Sequence, residues 1–535
     1  MWPYRVSYAL EWLWRLLGLG CLIAAALLAA KPGLLERVES ALDRVQRSRS
    51  LRPAPLVFLA VVPPLVGALF KVLQYHGFEL GTSSAANLNV LWNLAHGYGP
   101  FTDMEWYGGG VNFLSLHLSF TILALAPALR LWESPLLPVA AHGLVVASTP
   151  LAAYLLAAGP TRRPLAGWLA AAVAAANPLL HSCLQTIVCS WPFEAPLVLW
   201  SAHLWQAGRR RLAAVTGLLL LTTGEHAPFI LGGWGLFLLL TRDRRAPAWP
   251  CWLLVLGSPL LWGLELWIMK ALGAPPELGD QWTKYPYLGG SLPAAAATAL
   301  TRPWLILWNL VYPPEKLWTI LRTLLGAALV PLGSGPALLP LATAWLPQQL
   351  ATAGTMFHGL YEHYASFVLG PLLWSFTQGL ARLLRAADPA RARLLAAAVL
   401  AAAGINFLDC TTQMLRPGLM PSAWHRTVPR ALAHIPQRAS VWSDGFLSPH
   451  VALRRSLHAL PLSRRERFFD TAFVPDRVLL SAHWIPRAEP EVRERILGYL
   501  ARERFVELFR EGDLVVLANP NTLGKEGAPP RPLRL

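Results

Sequence analysis

Glu225 and His226 stand in the middle of LAAVTGLLLLTTGEHAPFILGGWGLFLLL (residues 212–240), an apolar run with an arginine cluster at either end. A chain that leaves one basic cluster and returns to the next within this length must go up and come back. Each arm of roughly ten to fifteen residues then spans only about 15–22 Å at 1.5 Å per residue. The turn lies below the far boundary of a bilayer, where irregular polar backbone is tolerated only against a protein cavity. Ionisable groups at that depth mark function. A carboxylate beside an imidazole can move a proton or hold a phosphate. Glu79 directly follows another apolar segment, between Gly77 and Gly81, which let backbone or ligand come close. It suits a general base, and equally a solvated loop end. Glu194, after Trp191-Pro192-Phe193, can orient a partner, or serve as an acid favoured by a helix N-terminus. His117, on an apolar stretch, reads first as a buried and satisfied histidine.

The elements that must position these groups are membrane helices. Of the 535 residues, 54% are hydrophobic and 14% charged, against about a quarter charged in soluble domains. Apolar runs near the length that crosses a ~30 Å hydrocarbon core recur along most of the chain. The 24 tryptophans suit membrane–water boundaries. The reading is an α-helical polytopic membrane protein of about 11–13 membrane helices with a small C-terminal α/β domain. The net charge of +16 belongs to positive-inside loops and anionic headgroups. No zinc-finger spacing or aromatic-basic platform points to nucleic acid. No Gly-rich nucleotide loop and no GxSxG stretch is present. Of the five cysteines, Cys21 and Cys251 fall in apolar runs. Cys183 and Cys189 are close enough to bridge on an oxidising face, or to stay unpaired.

Arginine-rich segments divide the chain. Lys31 to Arg52 holds six basic residues, followed by clusters at 161–163, 209–211, 242–245 and 382–393. Placing all of them in the cytoplasm makes residues 1–53 an uncleaved anchor helix with a basic linker, and 54–410 the transmembrane domain. Residues 75–111 become an outer loop. The same sorting gathers 76–110, 181–194, 223–226, 270–316 and 356–364 on the opposite face. It also leaves a parity problem: one of 112–131 and 136–158 must be interfacial, re-entrant or fused with its neighbour. Residues 411–520 read as an outer-face α/β domain, with strands at RASVWSDG, DRVLLSAHW and GDLVVLANP and a helix at EPEVRERILGYLARERF. Residues 521–535 form a Pro/Arg-rich tail.

From Phe78-Glu79-Leu80-Gly81 onward the sequence resembles a large bacterial family of membrane proteins known as domain of unknown function number twenty seventy-nine. WNLAHG (Trp92 to Gly97), NFLSLH (Asn112 to His117), WPFE (191–194), Gly224-Glu225-His226, YEHYASF and IPQRASVWSDGFLSPHVALRRSLHALP carry the likeness, over roughly residues 54–520. Where the family has aspartate this chain has Glu79, before His117 it has Leu116, and a basic residue becomes Gly224. Carboxylates remain at 79, 194 and 225. The family's layout is similar to that of the GT-C glycosyltransferases. The resemblance implies an inner-membrane enzyme of the cell envelope that moves a sugar from a polyprenyl-phosphate donor on the outer (periplasmic) face. On that expectation Glu79 is the base, Glu225 and His226 support it, and His117, Glu194, His358, Glu362, His363 and Tyr364 meet substrate. The last four serve an interfacial aromatic belt equally well. Lys284, Arg302 and Lys316 could reach the phosphate, or snorkel. Asp103 and Glu105 have a spacing open to a divalent ion, but two carboxylates alone do not make a metal site, and no cofactor is firmly implied. A transporter or lipid flippase with Glu225, His226 and Glu265 as a coupling path, or a non-catalytic envelope scaffold, are the rival readings.

Overall fold

In hydrocarbon the backbone has no hydrogen-bond partner but itself, so long apolar runs fold as helices. The computed structural model of the chain describes residues 2–48, 50–104, 110–242, 247–274, 281–352, 364–414, 424–462, 474–481 and 484–523. Among these, six helices are long and apolar enough to cross a membrane: Val6–Ala30, Ala54–His76, Leu136–Thr161, Ala248–Ala271, Ala365–Ala386 and Pro389–Cys410. Two bent pairs, Pro164–Ala176 with Pro178–Gln185 (47°) and Glu315–Gly326 with Val330–Leu350 (105°), bring the number to eight if each is one span. The other apolar segments form shorter helices, among them Glu194–Gln206, Arg210–Leu221 and Ala227–Thr241. The chain is an α-helical polytopic membrane protein with a small C-terminal sheet domain.

Ala365–Ala386 is the central helix, with Phe367, Leu369, Leu372, Trp374, Phe376 and Leu380 all buried. Small residues let its neighbours approach. A Cβ on Gly67 or Gly143 would collide with the other's carbonyl, so Ala54–His76 and Leu136–Val146 cross backbone to backbone. Ala248–Ala271 lies at the edge, with Trp252, Leu256, Leu260 and Trp267 exposed.

Of the two segments that raise the parity problem, only the second is long and apolar enough to cross. Leu136–Thr161 is a candidate span. Residues 112–131 instead break into a four-residue helix Phe113–Leu116, an extended stretch from His117, and the short pieces Ile122–Leu125 and Ala126–Leu131. Asn112 caps the first piece by accepting from the Leu114 amide at 3.0 Å.

The helices connect two chemically different ends. Arg163 donates to the Leu384 carbonyl at 3.4 Å and lies within electrostatic reach of Glu39. The basic segments 31–52, 161–163 and 382–393 therefore share one end. At the other end, Val188 donates to Ser84 Oγ (3.1 Å) and Ile122 to Ser190 Oγ (2.9 Å). Phe120 and Thr121 donate to the Thr222 carbonyl at 2.7 and 3.1 Å.

The segment after His76 is largely structured: a helix Gly81–Ala95 and a two-strand ribbon, β1 (Phe101–Thr102) against β2 (Val111–Asn112). Its apolar side is covered by the C-terminal domain. That domain is a five-stranded sheet of β3 (Val441–Ser443), β4 (Leu457–Ala459), β5 (Arg477–Ser481), β6 (Val506–Glu511) and β7 (Leu514–Ala518), in the order β4-β3-β5-β7-β6. β4, β3 and β5 run parallel, and β7 is antiparallel to both β5 and β6. Side chains alternate along a strand, and here both faces are buried. Val478, Leu480, Val515 and Leu517 pack with Ile496 and Leu500 of helix Pro490–Arg502. Leu479, Leu514 and Val516 pack with Phe78, Leu88, Leu91 and Met104. Asn89 fixes the contact by donating to the Ala452 and Arg454 carbonyls at 3.2 and 2.6 Å. Three of the expected strands and the expected helix are present. β4 and β6 are additional.

Candidate functional site

Glu194 begins helix Glu194–Gln206 directly after a tight turn, Trp191–Phe193. The stretch before it is tied down from below. Lys71, fully buried inside span Ala54–His76, gives its ammonium to the Thr186 carbonyl, and Gln74 donates to the Gln185 carbonyl at 3.3 Å. Glu225 and His226 occupy the turn between Arg210–Leu221 and Ala227–Thr241, as the up-and-back reading of 212–240 expects. The two turns meet. Glu194 has no solvent exposure, and its Oε1 accepts from Thr223 Oγ1 at 2.9 Å and from His226 Nε2. Glu194 Oε2 has no hydrogen-bond partner. The His226 ring lies against Phe367, centroids 3.2 Å apart.

A second pair stands beside the first. His117 Nδ1 is 3.5 Å from Glu225 Oε1, and the Trp191 indole lies near both pairs. Its ring is 4.6 Å from His117 and 6.3 Å from His226. Gly224 is a matter of room, because a Cβ there would press into the Trp191 ring at 2.7 Å. Burial works to raise the Glu225 pKa, but the nearby His117, the charge of His226 and the local backbone hold it down to about 2. Glu225 is therefore an ionised carboxylate at any ordinary pH. Lys284 and Glu265 both lie within electrostatic reach of Glu225. Burial pulls the Lys284 pKa down, and the Glu225 charge works against that.

Four of the residues singled out from sequence thus converge: His117, Glu194, Glu225 and His226. Glu79 is placed at the same end, on the turn after His76, with its side chain exposed. Tyr364 contributes its carbonyl to Gln348 Nε2 at 3.0 Å and its ring, 5.6 Å from Phe367. His358, Glu362 and His363 lie outside the described residues, as does Glu105. Asp103 is engaged with Gly110, Ser456 and His458, so it ties the ribbon to the C-terminal domain. Lys316 donates to the carbonyls of Asn309, Gln349 and Ala351, a structural use of its charge. Among the described residues no group of three or more His, Cys, Asp or Glu is arranged to hold a metal ion. The five cysteines are free thiols.

A family model described as a predicted membrane protein, DUF2079, matches residues 70–497. The chain belongs to this family. The match runs from the end of span Ala54–His76 into helix Pro490–Arg502, so the DUF2079 region takes in every residue of the two pairs and most of the C-terminal domain. None of the curated proteins compared matches the chain.

Sequence reasoning missed Lys71, Thr223 and Phe367. Lys71 carried a usable signal, since a lone ammonium within an apolar span needs a partner. Thr223 and Phe367 carried none, because threonine and phenylalanine are ordinary at helix ends.

Proposed function

We propose that this DUF2079 member is an integral membrane glycosyltransferase that takes a sugar from a polyprenyl-phosphate donor on the outer, periplasmic face of the plasma membrane. The observation that carries the reading is the His226–Glu194 pair: a fully buried carboxylate holding an imidazole at the polar end of the helix bundle. Facing a carboxylate, Nε2 carries the ring proton, which leaves Nδ1 with a lone pair for the acceptor hydroxyl. The acceptor oxygen attacks the anomeric carbon and its proton passes to Nδ1. The bond from that carbon to the phosphate oxygen breaks, and polyprenyl phosphate departs with the electron pair. Glu194 steadies the imidazolium that forms, as a buried acid does in any acid–base pair of this kind. Glu225, ionised, faces the positive charge that develops on the sugar, and the Lys284 ammonium meets the leaving phosphate. Glu79 is the other candidate for the base; lower exposure favours His226. Sidedness is supported by the basic clusters at the opposite end, which the K/R bias assigns to the cytoplasm.

The test uses the full chain in lipid nanodiscs, a panel of radiolabelled polyprenyl-phosphate monosaccharides, and a membrane extract as acceptor. Wild-type protein should transfer label and release polyprenyl phosphate. His226→Asn and Glu194→Gln should not, with unchanged size-exclusion profiles. Transfer that persists in His226→Asn removes the assigned base. Proton-coupled movement of lipid or solute in vesicles, with no glycosidic product from any donor, replaces the reading with transport.

A further inference from the structure

Three segments remote in sequence each bring one aromatic ring and one charged group to the edge of the site. The turn before Ala227–Thr241 brings Glu225, with Phe229 one turn on. Helix Ala248–Ala271 brings Glu265, with Trp262 three residues before it on the same face. The short helix Gln281–Lys284 brings Lys284, with Trp282 two residues before it. The rings meet: Phe229 and Trp262 are 5.6 Å apart, Trp262 and Trp282 6.4 Å. The ionisable groups are neighbours as well, since Glu225 is within electrostatic reach of both Glu265 and Lys284.

Glu265 is the informative member. It is 5% exposed on a helix whose neighbouring Leu260, Leu264 and Trp267 point outward. A buried carboxyl in a membrane span is costly and calls for a use. Its Oε2 has no hydrogen-bond partner, and neither has Oε2 of Glu225. Two shielded acceptor oxygens from different helices, beside a row of aromatic rings, match a ligand with hydroxyl donors along its edge and C–H groups on its face. A sugar ring has both. A bare phosphate would meet the Glu225 carboxylate as like charge, and its place is beside Lys284.

We propose that Glu225, Glu265, Trp262 and Trp282 form a carbohydrate subsite holding the sugar of the lipid-linked donor. The inference rests on the glycosyltransferase reading and adds to it the residues that recognise the sugar. The subsite adjoins the His226–Glu194 pair through Glu225, which precedes His226 in the chain: one binds hydroxyls, the other moves a proton.

The experiment compares nanodisc-bound wild-type chain with Glu265→Leu, Trp262→Ala and His226→Asn. The probes are the polyprenyl-phosphate monosaccharide panel and sugar-free polyprenyl phosphate, and the readout is equilibrium binding. Wild type should bind one or more sugar-bearing lipids in preference to the sugar-free one. Glu265→Leu and Trp262→Ala should each lose about tenfold or more of that preference, while binding of sugar-free lipid is unchanged, which shows that the variants are folded. His226→Asn should bind as wild type and fail to turn over. Equal binding of sugared and sugar-free lipids by wild type, or a preference undiminished in both Glu265→Leu and Trp262→Ala, overturns the subsite. Selective sugar binding without transfer by wild type overturns the glycosyltransferase reading and leaves the subsite standing.

Discussion

Acidic groups in two regions of this molecule use their oxygens in opposite ways. In the C-terminal domain, Asp444 is 2% exposed, and its carboxylate is occupied: Phe446 donates its amide to Oδ1 at 2.9 Å and Ser481 its hydroxyl to Oδ2. Its carbonyl also accepts from Ser448 Oγ at 2.8 Å, so the residue pins the loop after β3 to the end of β5. At the membrane site, Glu194, Glu225 and Glu265 each engage one side of the carboxyl at most and leave Oε2 without a partner. A satisfied group adds rigidity, whereas an unsatisfied one stores an unmet demand for donors. The first is therefore expected to govern folding and the second chemistry.

Substitutions can break that distinction. The largest effect should come from His226→Asn, which removes the proton acceptor while Thr223 still donates to Glu194. A rate loss of about 10²–10⁴ is expected with the melting midpoint nearly unmoved, read by donor turnover and by thermal unfolding in the same nanodiscs. Asp444→Ala should do the reverse. It strands the Phe446 amide and the Ser481 hydroxyl, at a cost of roughly 2–4 kcal/mol, seen as earlier proteolysis of the C-terminal domain. Turnover per folded molecule should stay within about twofold. If Asp444→Ala abolished turnover in fully folded protein, the domain would belong to the chemistry and the contrast would fail.

Glu225→Gln sharpens the comparison through pH. The folded-state pKa of Glu225 is depressed to about 2. Its ionised form therefore contributes stability that is fully present above the unfolded carboxylate pKa, about 4.3, and is lost as pH falls toward 2. The gap in thermal midpoint between wild type and Glu225→Gln should correspond to roughly 2–3 kcal/mol at neutral pH and close between about pH 4 and pH 2. A gap that widens on acidification would contradict the assigned sign. The smallest effect belongs to Glu79→Gln: its side chain is exposed, so stability should change by less than about 0.5 kcal/mol and turnover by less than about threefold. A loss comparable with that of His226→Asn would return the role of base to Glu79.

The sequence alone determined what depends on near neighbours. Apolar runs mark the helical segments, though six to eight rather than 11–13 are long and apolar enough to cross among the described residues; arginine clusters mark one end, and the spacing of 212–240 puts Glu225 and His226 at a turn. Short apolar runs bounded by polar residues also give β3, β5 and β7, because each of these signals is complete within a few residues of itself. Tertiary structure decided the rest. Residues 112–131 and 136–158 look alike as apolar runs, and only packing breaks the first and lets the second span. Glu79 and Glu194 look alike as single acids beside aromatic residues, yet one is exposed and the other meets a histidine 32 residues away. Which acid is shielded depends on which distant backbone excludes water from it. That is a property of long-range contacts, and no local pattern encodes it.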